Sequence, residues 1–172
     1  MVSDLHLGHA NILRYDGRPY ANITEHDNAL TINCFKDGYP SRTLWILGDV
    51  AYRTPDLIKF MQRIRPYWGK INLIRGNHDD KVAWKHRALF DESHEAYYLR
   101  VNKDVRVYLS HYAHRVWRNS HRGSYHLYGH SHGALPGVGR SMDVGAPCIR
   151  CAPISMQEVV ERLQDKETIN HH

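Results

Sequence analysis

Two histidines one residue apart, His130 and His132, stand between Gly129 and Gly133 at the end of the alternating stretch Tyr125–Tyr128. They are the last of five polar groups of one chemical kind. Asp4 and His6 follow Met1-Val2-Ser3. Asp49 follows Gly48 after an apolar run, Asn77 and His78 follow Gly76 after another, and His111 follows a third. These groups offer two carboxylates, one amide and four or five imidazoles, with no thiolate among them. Mixed nitrogen and oxygen donors suit Mn, Fe, Zn, Ni or Co rather than Ca or an iron–sulfur cluster. Seven donors exceed what one tetrahedral zinc accepts. They match two divalent ions sharing a bridging carboxylate, which at about 3.5–4 Å apart form a clamp for in-line displacement at phosphorus.

Singly, each group has an ordinary structural explanation. A D-x-H occurs by chance, a histidine after a strand is commonly a polar loop residue, and Gly-Asp or Gly-Asn commonly marks a turn. Recurrence at the end of one apolar run after another is what points to a site. In open α/β sheets, ligands gather where strand carboxyl ends release their loops.

The elements that must position these groups read as periodicities. Thr43-Leu44-Trp45-Ile46-Leu47 is a buried strand, and residues 70–75 are a second. Between them Thr54, Pro55 and Asp56 open a helix, with Thr54 as its cap and Leu57, Phe60, Met61 and Ile64 as its apolar stripe. An earlier helix starts at Thr24, with Ala29, Leu30, Ile32 and Phe35 as its apolar side. Residues 97–101 and 105–109 alternate with period two around Asn102-Lys103-Asp104, a hairpin pattern. Ser155 with Glu158 makes a capping box for a last helix reaching about Gln164. A strand–helix–strand start followed by antiparallel strands implies a layered α/β fold. Residues 1–172 suffice for a single domain with its own core.

Composition narrows the classes. The 23 Lys+Arg outnumber the 18 Asp+Glu, for a net charge of +5. Such a field attracts phosphate-bearing partners, although no basic tail is present. Histidine is over-represented at 14; His171 and His172 are set aside as a remnant foreign to the fold. Three cysteines are too few for a disulfide framework. Cys148 and Cys151 form one CxxC, without the second pair of a zinc ribbon or the flanking elements of a thioredoxin-type motif. No apolar run approaches the roughly 20 residues of a membrane helix, and no charged-then-apolar leader is visible. The expectation is a soluble, cytoplasmic protein with no membrane partner.

Asp4-Leu5-His6, Gly48-Asp49-Val50, Gly76-Asn77-His78-Asp79, His111 and Gly129-His130-Ser131-His132 together resemble the motif series of the calcineurin-like metallophosphoesterases, over residues 3–153. HLGHANI and RGSYHLYGHSHG further resemble a small, compact branch found in bacteria and phages. The resemblance implies a four-layer α-β-β-α sandwich of two mixed sheets flanked by helices. It implies a binuclear hydrolase, a phosphatase or phosphodiesterase, with Mn foremost and Fe, Zn, Ni or Co as alternatives. Asp4, His6, Asp49 and His132 would bind one ion, and Asp49, Asn77, His111 and His130 the other. A metal-bridging hydroxide would attack the ester, with His78 protonating the leaving oxygen and Asp79 or Asp4 orienting it. In an extended segment His130 and His132 would share a face, with Gly129 and Gly133 admitting close approach and a turn.

Softer candidates surround this set. His9 and Asn11 could face substrate; Arg14, Arg115, Arg122 and Arg140 could hold its distal phosphate, Arg122 foremost because Gly123 follows it. Asp143 reads as pinning a turn near Gly145, and His114, His121 and His126 read as bystanders. One departure from the family pattern stands out. Only three residues precede Asp4, which predicts a loosely seated Asp4 and His6 and weaker binding at the first metal. Only 31 residues separate Asp79 from His111, and 18 separate His111 from His130, which leaves little room for a cap and predicts a shallow, open site. The substrate is a phosphate ester, with nucleotides or nucleic acids among the candidates. Competing readings are a nuclease or nucleic-acid-end phosphatase, with Trp68, Trp84 or Trp117 stacking on bases, and a non-catalytic interaction module of the kind found in retromer.

Overall fold

The structure, a computed structural model, describes residues 1–36 and 38–169, so His171 and His172 lie outside the described residues. It is an α/β sandwich. Its elements are α1 (Ile12–Tyr15), α2 (Ile23–Lys36), β1 (Thr43–Ile46), α3 (Thr54–Ile64), β2 (Lys70–Ile74), β3 (Glu92–His94), β4 (Ala96–Arg100), β5 (Arg106–Ser110), β6 (Tyr125–Tyr128), β7 (Ser141–Asp143) and α4 (Met156–Leu163). The first sheet has the order β1-β2-β3 and is wholly parallel, with Leu44 opposite Ile71 and Leu73 opposite Ser93. The second, β4-β5-β6-β7, is mixed: the β4–β5 hairpin is antiparallel, and β5–β6 and β6–β7 are parallel.

The opening residues join the two sheets. Val2 bridges Ile46 beside β1, and Ser3 bridges Gly145 just beyond β7. The backbone N–H of Val2 donates to Trp45 and that of Ser3 to Val144, while Leu47 and Ala146 donate back. Three residues thus suffice to anchor the Asp4–His6 stretch between the sheets, and Asp4 is completely buried. The loose seating expected from so short a strand is not what the backbone adopts.

One apolar cluster fills the space between the layers, with Leu44, Ile46, Leu73, Val107, Leu109 and Leu127 among its fully buried members. Two helix details differ from the sequence reading. Thr54 is the first residue of α3, after the extended Arg53, and supplies no side-chain cap. Helix α2 buries His26, Leu30, Thr31 and Cys34, leaving Ala29, Ile32 and Phe35 half-buried. The polar members of that face have partners: His26 meets Arg18 at 2.7 Å and Asp27 at 2.8 Å, and the Thr31 hydroxyl donates to the Asp27 carbonyl. The capping box of α4 forms as expected. No helix among the described residues is long and apolar enough to cross a membrane.

Candidate metal centre

Five loops bring the candidate donors together. Loops after β1, β2, β5 and β6 deliver Asp49, Asn77 with His78, His111, and His130 with His132; the stretch after Ser3 delivers Asp4 and His6. His6 Nε2 lies 3.3 Å from His132 Nε2 and 3.6 Å from Asp49 Oδ2. His132 Nε2 lies 3.5 Å from Asp4 Oδ1. His111 Nε2 lies 3.5 Å from Asp49 Oδ2 and 2.9 Å from Asn77 Oδ1, which also faces His130 Nδ1 at 2.9 Å. Donor atoms about 2.1 Å from a common ion are roughly 3.0–3.4 Å apart at right or tetrahedral angles, close to these separations. Asp4, His6 and His132 form one group that could hold an ion; Asp4, Asp49 and His111 form another. Asp49 touches both halves, as a bridging carboxylate must.

The backbone is bent to achieve this. Asp4, His6, Asp49, His130 and His132 all have left-handed φ, between 48° and 65°. Asp and His tolerate that region better than most residues, yet such strain concentrates where surrounding contacts impose it. His130 and His132 therefore do not face the cleft through an extended segment; two left-handed residues flanking Ser131 aim them there. Gly129 is required by close approach, since a Cβ would overlap Ser3 Oγ and Asp4 Oδ2. Its neighbour's N–H, that of His130, donates to both Asp4 oxygens at 3.0–3.1 Å.

Surrounding groups fix ring orientation. His111 Nδ1–H donates to the Leu47 carbonyl at 2.7 Å, leaving Nε2 for the cleft. His132 Nδ1–H donates to Asp16, 2.7 Å from both oxygens. Asp16 is in turn held by Arg18, whose buried guanidinium also donates to the carbonyls of Asp4 and Leu5. Asp16 and Arg18 escaped the sequence reading because Asp16-Gly17 looks like an ordinary turn. The pairing of a carboxylate with a ligand imidazole is the usual support of a metal histidine.

Electrostatics separate the imidazoles. Burial lowers the pKa of His6 to about 4 despite Asp49 and Asp4, so its ring is neutral and ready to donate a lone pair. Burial also opposes charge on His132, but hydrogen bonds to Asp16 and Asp4 outweigh it and raise the pKa to about 10. For Asp49, burial is overcome by the hydrogen bond and charge of His111, taking its carboxyl down to about 2.

His78 is exposed, with its ring 5.5 Å from that of His6 and its backbone N–H on Asp49 Oδ1. Asp79 does not orient it: the buried Asp79 carboxylate accepts from the N–H groups of Asp49, Val50 and Gly76. His9 stands at the mouth, 5.7 Å from the His6 ring. Asn11 is an exposed residue just before α1, and Arg122 is exposed on a 3₁₀ turn. Arg14 and Arg115 are exposed as well. Arg140 is tied to the carbonyls of Gln164, Lys166 and Gly123, which removes it as a phosphate contact. Asp143 pins the loops by accepting from Gly133 and Gly145. His126 is a buried structural histidine. The tryptophans do not offer free faces at the site: Trp68 and Trp117 are buried, and Arg75 and Arg87 lie over Trp84. Cys148 and Cys151 are not joined to each other by a disulfide. Exposed Asn77, His78 and His130 make the centre open, and a broad groove lined by Arg42, Trp45, Arg100 and Ile154 holds none of its side chains.

Comparison with known proteins adds the fold. No family model matches the chain. It is 33% identical over 89 residues to the uncharacterized protein MJ1445 of Methanocaldococcus jannaschii, a match covering 52% of this chain and 50% of that protein. The matched segment thus spans about half the length of that curated relative. The crystal structure of AQ665, a protein of unknown function from Aquifex aeolicus, superimposes with a TM-score of 0.73. That likeness covers 94% of this chain and 97% of the other at 20% identity, so what is shared is the fold.

Proposed function

We propose that this chain is a two-metal phosphoesterase of the calcineurin-like kind. The observation that carries the reading is the convergence of seven nitrogen and oxygen donors from five loops at the spacings of common coordination, beside an exposed imidazole outside the donor set. Asp4, His6, Asp49 and His132 would hold one divalent ion, and Asp49, Asn77, His111 and His130 the other, with Mn foremost among Mn, Fe, Zn, Ni and Co. When bound, the pair supplies an acidified water and neutralises phosphoryl oxygens. The ionised Asp49 belongs to both halves. His132 keeps its orientation through Asp16, and His111 through the Leu47 carbonyl. His78, whose backbone N–H is held by Asp49 and whose ring has no carboxylate partner among the described residues, would pass a proton to the leaving oxygen. The complete donor set with this acid beside it favours hydrolysis over a scaffold role.

Elemental analysis with a panel of phosphate mono- and diesters tests this. Asp49→Asn should lose metal and turnover together. His78→Ala should keep metal and lose roughly 10²–10⁴-fold in kcat, the usual contribution of a positioned acid. Inertness towards every ester with Mn, Ni, Fe and Zn supplied, or an Asp49→Asn protein that binds metal like the parent, would overturn it.

A further inference from the structure

Beyond the donors, the mouth of the centre is aromatic. Tyr15, Tyr52 and Tyr112 are 62%, 58% and 50% exposed. Large rings left that far in water need a reason when they cluster. Tyr52 stacks on His9 with centroids 4.8 Å apart and planes within 10°. His9 meets Tyr15 edge-on at 6.3 Å and lies 5.7 Å from the His6 ring. Arg14 sits over Tyr15 at 5.3 Å. On the other half of the donor set, Tyr112 lies 4.5 Å from the His130 ring and 5.2 Å from that of His111. Each half of the centre thus has an exposed tyrosine within one or two ring contacts of a donor imidazole. Tyr52 has one face covered by His9 and most of the rest of its ring open.

A flat, sequence-tolerant π surface beside a phosphate-reactive centre suits a nucleobase, since every base has a π face and stacking contributes about 1–3 kcal/mol per base. The net charge of +5 favours the same anionic partner. We propose that the substrate is a nucleotide ester whose base stacks on the open face of Tyr52, with Tyr112 as a second platform for the base on the far side of a diester. This inference rests on the phosphoesterase reading and names its substrate class. It also replaces the tryptophans, whose faces are covered, with Tyr52 and Tyr112, which stay half or more exposed.

Two measurements test it. Kinetics compare adenosine 5′-monophosphate and a dinucleotide with glycerol phosphate, an aliphatic ester. In Tyr52→Leu the ratio of kcat/KM for nucleotide over glycerol phosphate should fall roughly tenfold, the loss of about one stacked base. Tyr52→Phe should keep that ratio, and so should Tyr39→Leu, an exposed tyrosine before β1, at the end of that strand away from Asp49. Saturation-transfer NMR on the metal-free protein gives a readout independent of turnover: base protons of the nucleotide should be saturated more than ribose protons, and Tyr52→Leu should abolish that preference. Glycerol phosphate handled as well as nucleotide, or equal base and ribose saturation, overturns the inference while hydrolysis stands. Inertness towards every ester overturns the phosphoesterase reading instead, and base saturation that depends on the Tyr52 ring would then still mark a nucleotide-binding surface.

Discussion

Asp16 and His132 show how much of a site is decided by an unreactive neighbour. The imidazole is 2.7 Å from both Asp16 oxygens, which fixes the Nδ1–H tautomer and leaves Nε2 facing His6 and Asp4. A carboxylate in that position raises ligand basicity, and its loss typically costs 10–100-fold in metal affinity. Asp16→Ala should therefore weaken one of two manganese-binding events by roughly that factor and leave the other, built on His111 and His130, near its parent value. Calorimetric titration of the metal-free protein separates the two. Equal weakening of both events would mean that Asp16 acts on the whole loop system rather than through His132.

At the scale of elements, strands end and turns begin the chemistry. Asp79 links two such turns, because its buried carboxylate gathers N–H groups from Asp49 and Val50 after β1 and from Gly76 after β2. Removing it would strand three buried donors, each worth about 1–3 kcal/mol when left unpaired. With partial relaxation, Asp79→Ala should lower Tm by roughly 5–10 °C for a chain of this size; thermal unfolding by circular dichroism reads it. An unchanged Tm would show that water takes over those donors. The strands that frame these turns were legible because apolar residues dominate or alternate over a strand's length: β1, β2 and β6 fall within a residue of their sequence limits, as does the β4–β5 hairpin. Strands β3 and β7 were not, since Glu92-Ser93-His94 and Ser141-Met142-Asp143 are three residues each and mostly polar. That these side chains converge was legible from their type and order. Their left-handed backbone, Asp79's service to backbone N–H groups and the Asp16–His132 contact across 116 residues were not, because local sequence carries no record of which distant group lies opposite.

Across the whole molecule, some imidazoles face the centre and at least one, His126, braces a sheet, and the two kinds answer acid differently. His126 belongs to the second kind. It is fully buried on β6, its Nδ1–H donating to the Tyr108 carbonyl and its Nε2 accepting from the His114 N–H. Both ring nitrogens are committed in the neutral form, and protonation would forfeit the acceptor. Burial lowers its pKa from the ordinary 6.5 to about 4, with the Tyr108 bond opposing and His114 assisting. Between those values the unfolded chain binds the proton and the folded one does not, so stability falls as pH drops from about 6.5 towards 4. At 1.36 kcal/mol per unit the full swing is about 3 kcal/mol, a sizeable part of the 5–15 kcal/mol typical of a domain. His126→Gln retains a donor and an acceptor but has no proton to take up. Urea unfolding at pH 7.5 and pH 4.5 should show the parent losing about 2–3 kcal/mol more than the variant over that interval. Equal losses in the two proteins would assign the acid sensitivity to other groups, the donor cluster foremost.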